Sequence, residues 1–144
     1  MSKEYKWTPL KLRAIDDSDL IIFSECIFEG IILPSEIDFN AIDKQFAIAL
    51  ERFTWESAMG RDYNLMQVLS ILIVEGVKKV EIRNNFKENS INHLKSISNV
   101  DNNILILLND DQIINLKVGN WSCMLRDIGE PWFPATTPSH FNNG

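Results

Sequence analysis

Arg52, Trp55 and Glu56 stand together in the run Arg52-Phe53-Thr54-Trp55-Glu56, and Arg61, Asp62 and Tyr63 follow in the next polar stretch. A guanidinium, an indole, carboxylates and a phenol at the end of a strand make a ligand site when a rigid sheet positions them. The plainer reading, and the preferred one, packs the arginine stem on Trp55 and pairs its head with Glu56 or Asp62. Other chemistries lack their residue sets. His93 and His140 have no second His, Cys or carboxylate at metal-ligand spacing. Gly60 and Gly76 stand alone, so no phosphate-cradling loop is legible, and no serine sits in a nucleophile elbow. Cys26 and Cys123 fall in apolar surroundings and read as reduced, inert core thiols. No metal and no cofactor is expected.

The chain around these residues has 144 positions, 45% of them hydrophobic and 24% charged. That is one globular domain, read as 1–144, with a core at about 9–128 and a tail at 129–144. The net charge of −6 and the lack of an aromatic-interleaved basic stripe argue against nucleic acid. The start Met1-Ser2-Lys3-Glu4 is charged, and no apolar run approaches the ~18 residues of a membrane span. A cytoplasmic protein without membrane contact is expected.

Leu10, Leu12 and Ala14 alternate with Lys11 and Arg13, which predicts a first strand. The cluster Asp16-Asp17-Ser18-Asp19 then caps a helix whose Leu20, Phe23 and Ile27 share one face, with Gly30 as its C-cap. A hairpin follows. With its turn at Asp43-Lys44, Ala41 faces Phe46, Phe39 faces Ile48 and Ile37 faces Leu50, all on one side. The apolar parity changes at Phe53 and Trp55, which predicts a bulge near Glu51-Arg52. Residues 57–64 read as loop, 67–75 as a central strand with a buried helix turn as the competing reading, Gly76 as a turn or bulge, and 79–83 as another strand with Val80 and Ile82 inward. A polar loop spans 84–92 and a weaker strand 93–100.

A second hairpin covers 104–118. With Asp110-Asp111 as its turn, Leu107 faces Ile114 and Leu105 faces Leu116. Ile104, Ile106, Leu108 and Ile113 then form a second apolar face, one that the helix or another subunit would cover. A further strand or short turn is read at 121–128, and Pro131, Pro134 and Pro138 forbid regular structure beyond Gly129.

Three segments carry a family resemblance: Leu10-Lys11-Leu12-Arg13-Ala14-Ile15-Asp16, Arg52-Phe53-Thr54-Trp55-Glu56, and Leu125-Arg126-Asp127-Ile128-Gly129-Glu130-Pro131-Trp132 with Pro138-Ser139-His140. Together they resemble the domain-of-unknown-function 2948 family, small bacterial proteins of about this length, over roughly residues 9–141. Thr54 stands where members often carry Arg, and the loop 84–92 also departs from them. The resemblance implies a cytosolic bacterial protein with no assigned activity. It singles out Arg52, Trp55, Glu56, Asp127, Trp132 and His140, for which two roles fit. They clamp the tail onto the sheet, with Asp127 paired to Arg52 and Trp132 filling a pocket. Or they line a pocket for an anionic small molecule, with Arg52 as bidentate holder and Trp55 stacked beneath it.

The fold expected is α+β: one main N-terminal helix against a mostly antiparallel sheet of about seven strands, curved as far as a half-barrel, with an extended Pro-rich tail; a pleckstrin-homology-like barrel is the variant, against which the lack of a C-terminal helix counts. The expected function is a non-catalytic binding or protein-interaction module, forming a homodimer or meeting a protein partner through the 104–118 hairpin. The rival is an enzyme or binding protein for a small anionic metabolite using Arg52 and Trp55, with Glu56 or His140 as acid or base.

Overall fold

In the computed structural model of the chain, the described residues are 8–32, 34–58, 65–83 and 91–133. The first strand, β1 (Lys11–Ala14), buries Ala14 and leaves Lys11 and Arg13 in solvent, as its alternation requires. The helix α1 (Asp17–Ile27) starts where Asp16 accepts a hydrogen bond from the Asp19 N–H at 2.9 Å. Leu20, Phe23 and Ile27 form its buried face. Its exit differs from the expected glycine cap. Glu29, at φ 64°, takes the left-handed turn, and Gly30 serves a different need. A Cβ at Gly30 would lie 2.9 Å from the Ile27 carbonyl oxygen, so the close approach demands glycine.

The remaining elements are β2 (Ile31–Ile32), β3 (Ile37–Asn40), β4 (Gln45–Phe53), the short helix α2 (Trp55–Ala58), β5 (Gln67–Arg83), β6 (Asn92–Val100), β7 (Asn103–Leu108) and β8 (Ile113–Asp127). Every pairing among these strands is antiparallel. The order β8-β5-β4-β2-β6-β7 closes on itself, because β7 also pairs with β8. The result is a six-stranded barrel rather than a half-barrel. Two further strands are attached to it: β1 on β8 and β3 on β4. The strand β8 serves two neighbours on one edge, β7 along 113–117 and β1 along 123–126.

The segments 67–75 and 79–83 are one strand. Gly76, at φ 84°, bulges it, and the register with β8 shifts on either side of Val77. A Cβ on Gly76 would lie 2.0 Å from the Asn120 carbonyl oxygen, so the bulge admits only glycine. The helix α1 lies against β6 and β1 and adds Phe23 to the barrel interior beside Phe46, Leu72, Ile106 and Leu116. Ser24 fastens it by donating to the Ile97 carbonyl at 2.8 Å and accepting from the Ile97 N–H at 2.9 Å.

Both hairpins differ in register from expectation. In the first, Asn40 pairs with Gln45 and Phe39 with Phe46. The Asn40 side chain accepts from the N–H groups of Ile42 and Asp43 and so closes a longer loop over 41–44. The shift is two residues, so Phe39, Phe46 and Ile48 keep their common face, while Ala41 and Ile42 leave the strand for solvent.

In the second hairpin, Leu107 pairs with Ile113 and Ile106 with Ile114. A 3-10 turn over Asn109–Asp111, with Asp110 and Asp111 both left-handed, gives an odd loop and a one-residue slip. Ile104, Ile106 and Leu108 therefore point into the barrel with Ile114 and Leu116, and Leu105, Leu107 and Ile113 point outward. The pair Ile106 and Ile113, expected on one partner-facing side, is split between core and surface.

No bulge interrupts β4 at Glu51-Arg52; its register with β5 runs unbroken to Phe53. The apparent change of parity arises because Arg52 itself occupies the inward position after Leu50. The loop read at 57–64 begins inside α2, and 59–64 lie outside the described residues.

Candidate functional site

Arg52 projects from the end of β4 into the barrel and has no exposed surface. All five guanidinium hydrogens have acceptors. Nε donates to Asp127 Oδ1 at 2.7 Å and Nη2 to Asp127 Oδ2 at 2.8 Å. The α2 carboxylate of Glu56, one helical turn along the chain, takes Nη1 at 2.9 Å and Nη2 at 2.7 Å. Nη1 also donates to the Phe53 carbonyl at 3.1 Å.

Asp127, the last residue of β8, is equally committed. Its Oδ1 also accepts from Ser70 Oγ at 2.7 Å, and its Oδ2 from the Leu10 N–H at 2.7 Å. Burial alone would raise the Asp127 carboxyl, but the hydrogen bonds from Arg52, the Leu10 N–H and Ser70 outweigh it and hold the group below its ordinary value. Burial likewise works against the Arg52 charge, and the two carboxylates overcome it and push the guanidinium higher. The cluster is thus an ionic knot in which every guanidinium hydrogen is satisfied.

Trp55, the first residue of α2, is engaged with the end of α1. Its Nε1–H donates to the Phe28 carbonyl at 2.8 Å, at the C-cap of α1. Its ring meets Phe28 and Phe53 at tilted angles, with centroids 6.1 and 5.8 Å away. It joins the end of the helix to the end of β4. Trp55→Phe is expected to lower stability by about 1 kcal/mol in urea denaturation, since the partly buried carbonyl loses that donor while most of the ring area remains. No measurable loss would show that the indole bond is immaterial.

Trp132 is held by its backbone. Its N–H and carbonyl bridge to Gln67 at 2.8 Å each, which lays the segment after β8 along β5, and 39% of the residue stays exposed. Ile128 N–H adds a bond to the Leu69 carbonyl at 2.8 Å. His140, Arg61, Asp62 and Tyr63 lie outside the described residues. The sequence reading missed Ser70 and Thr54. Ser70 stands among the apolar inward positions Val68, Leu72 and Val74 of β5, a legible sign of a buried partner. Thr54 closes the neck of the 55–65 segment, donating its N–H to the Met66 carbonyl at 2.8 Å and accepting from the Met66 N–H at 2.9 Å.

Burial pushes the Cys123 thiol up to about 12 and raises that of Cys26 also, so neither is a ready nucleophile. A second ionic group lies beyond Trp55. Glu29 pairs with Lys95, whose ammonium sits 5.7 Å from the Phe28 ring centroid, and the Glu29 carboxylate is 3.9 Å from His93 Nδ1. Among the described residues, no three His, Cys, Asp or Glu side chains gather as a metal set, and no helix is long and apolar enough to cross a membrane.

No curated protein and no solved structure matches the chain. The strand and helix starts at 10–16, the Arg52 to Glu56 run and the Asp127 to Trp132 run meet in space at the Arg52 knot. All of them fall within residues 10–140, where the chain matches the family model described as a protein of unknown function (DUF2948), and the chain belongs to that family.

Proposed function

We propose that the protein is a cytoplasmic, non-catalytic module that binds another protein, and that Arg52, Glu56 and Asp127 form a clamp for the strand ends and the start of the tail. The observation that carries this reading is the saturation of Arg52. Every N–H of the guanidinium already meets an acceptor of this chain, and no part of it reaches solvent. An anionic metabolite would have to displace a carboxylate already bound in bidentate fashion, with no gain in hydrogen bonds.

The outer face of the second hairpin supports a partner surface. Leu105, Leu107 and Ile113 are only half-buried there, and a cleft of about 230 Å³ runs past Val100, Leu105, Ile113 and Asn115. Native mass spectrometry of the protein purified gently from its own cytosol tests the reading. The expected result is a different protein bound at fixed stoichiometry and released by Leu105→Lys with Ile113→Lys, at little cost in melting temperature. A small anionic molecule retained at one per chain, indifferent to those substitutions and lost with Arg52→Lys, would overturn it.

A further inference from the structure

The outward face of the sheet β3-β4-β5-β8-β1 is ordered by charge. Across one row the register sets Asp38, Ala47, Ile73, Met124 and Arg13 side by side. Across the next outward row it sets Ala49, Ile71, Arg126 and Lys11. Glu36 precedes β3 and lines the same cleft as Ala49, Glu51 and Leu69, a cleft of about 410 Å³. The β3/β4 side is therefore acidic, with Glu36, Asp38 and Glu51. The β8/β1 side is basic, with Lys11, Arg13 and Arg126. Ile71, Ile73, Leu69 and the two alanines form an apolar strip between them, none of it buried, and the exposed Glu75 ends the strip on β5, lining one cleft with Arg13 and Met124. Apolar strips rimmed by charge mark contact surfaces.

We infer that this face is the interface of a homodimer whose twofold axis runs along β5. An isologous contact sets one patch against its own copy. A twofold axis along the strands exchanges the two sides of the sheet, so each basic edge meets the partner copy's acidic edge. An axis across the strands would set acid on acid. The same rotation places the bulky Met124 and the Arg126 stem over the small Ala47 and Ala49, and brings the β5 isoleucines together at the centre. The strands of the two copies then run nearly aligned, the ordinary way for two twisted sheets to stack. The charges of the two edges and the sizes of the side chains between them select the same axis, and that agreement carries the inference; Glu75 falls at the end of the strip, in the cleft that Arg13 also lines. It is separate from the hairpin reading above, since a monomer would leave that reading standing.

The test is a charge exchange at exposed positions, where the fold tolerates it. One variant carries Lys11→Glu and Arg13→Glu, and the other Glu36→Lys and Asp38→Lys. Sedimentation velocity over a concentration series reads the mass. The wild type is expected at twice the chain mass, with dissociation promoted by salt. Each variant alone sets like charges together and weakens self-association by at least about tenfold. An equimolar mixture of the two restores complementary edges, and a one-to-one heterodimer is expected to re-form. An unchanged far-ultraviolet circular dichroism spectrum and a cooperative melt confirm that both variants fold. A wild type that stays monomeric throughout the series would overturn the inference. So would a dimer that ignores both exchanges, or a mixture that fails to associate. A dimer lost only with Leu105→Lys and Ile113→Lys would move the contact to the hairpin and equally overturn it.

Discussion

Replacing Arg52 with Met is expected to cost about 3–5 kcal/mol of folding stability, read by urea denaturation at neutral pH. Met fills much of the space of the arginine stem, so the change isolates the charge from the cavity. What remains is the Asp127 carboxylate, whose side chain has no exposed surface, with only Ser70 Oγ and the Leu10 N–H as donors. A buried anion without its cation is the costly species. Glu56 contributes less to the loss, because 39% of its side chain is already in solvent and water can replace the arginine. Replacing Asp127 by Leu in the same chain is expected to recover part of the loss, since it removes the stranded charge. The recovery is incomplete, because the Leu10 N–H and Ser70 hydroxyl then lack their acceptor. A loss under about 1 kcal/mol for Arg52→Met would sink the clamp as a structural device.

Acid sharpens the same experiment. The folded Asp127 carboxyl lies below its unfolded value of about 3.9, so its contribution is present above that pH and fades as pH falls through the lower, folded value. The wild type should therefore weaken in acid. In Arg52→Met, burial acts without the arginine and raises the carboxyl, so the variant folds more readily with a proton on it. The stability gap between the two proteins is expected to narrow from neutral pH toward about pH 3.5. A gap independent of pH would mean that the loss comes from packing and not from the ion pair.

Local chemistry was legible where a short stretch determines it. Asp16 and the Leu20, Phe23, Ile27 spacing mark α1 within a residue, and Leu12 with Ala14 marks the inward face of β1. What a single stretch cannot show is loop length. Asn40 extends the first turn by bonding two backbone N–H groups, and the even shift spares the face pattern. Asp110 and Asp111 take left-handed geometry in the second turn, and the odd shift exchanges both faces. Asn and Asp adopt that geometry more readily than most residues, yet nothing in the spelling distinguishes a two-residue from a three-residue loop.

Barrel closure was hidden for a related reason. It passes through β2, whose two residues carry no period, and which joins β4 to β6. The site was half legible. Glu56 lies one turn from Arg52, but Asp127 is 75 positions away and only the family resemblance drew it in. The rule that inward positions are apolar failed at Arg52, where paired charge substitutes for apolar burial. That one failure produced the false bulge, and it marks the cluster that holds β4, β5, β8, α2 and the approach to β1 together.

Ile106→Lys is expected to leave the chain unfolded, while Ile113→Lys costs about 1 kcal/mol or less. The two residues belong to one hairpin, and the two-residue turn would have placed them on one side. In the barrel they are on opposite sides. Ile106 is wholly buried opposite Ile114, among the apolar side chains of the core, a cluster that holds no carboxylate among the described residues. An ammonium there either gives up its proton or drags water into the barrel, and either route costs several kcal/mol. Added to the lost packing of the isoleucine, that approaches the whole stability of an ordinary domain. Ile113 faces outward and is half-exposed, so a lysine can lay its stem along Leu107 and keep its charge in water. Circular dichroism and one-dimensional NMR of the two variants decide between the registers. The reverse pattern, a folded Ile106→Lys and an unfolded Ile113→Lys, would require the hairpin to slip by one residue. Leu105 and Leu107 would then move into the barrel, and the partner surface assigned to them would disappear with the slip.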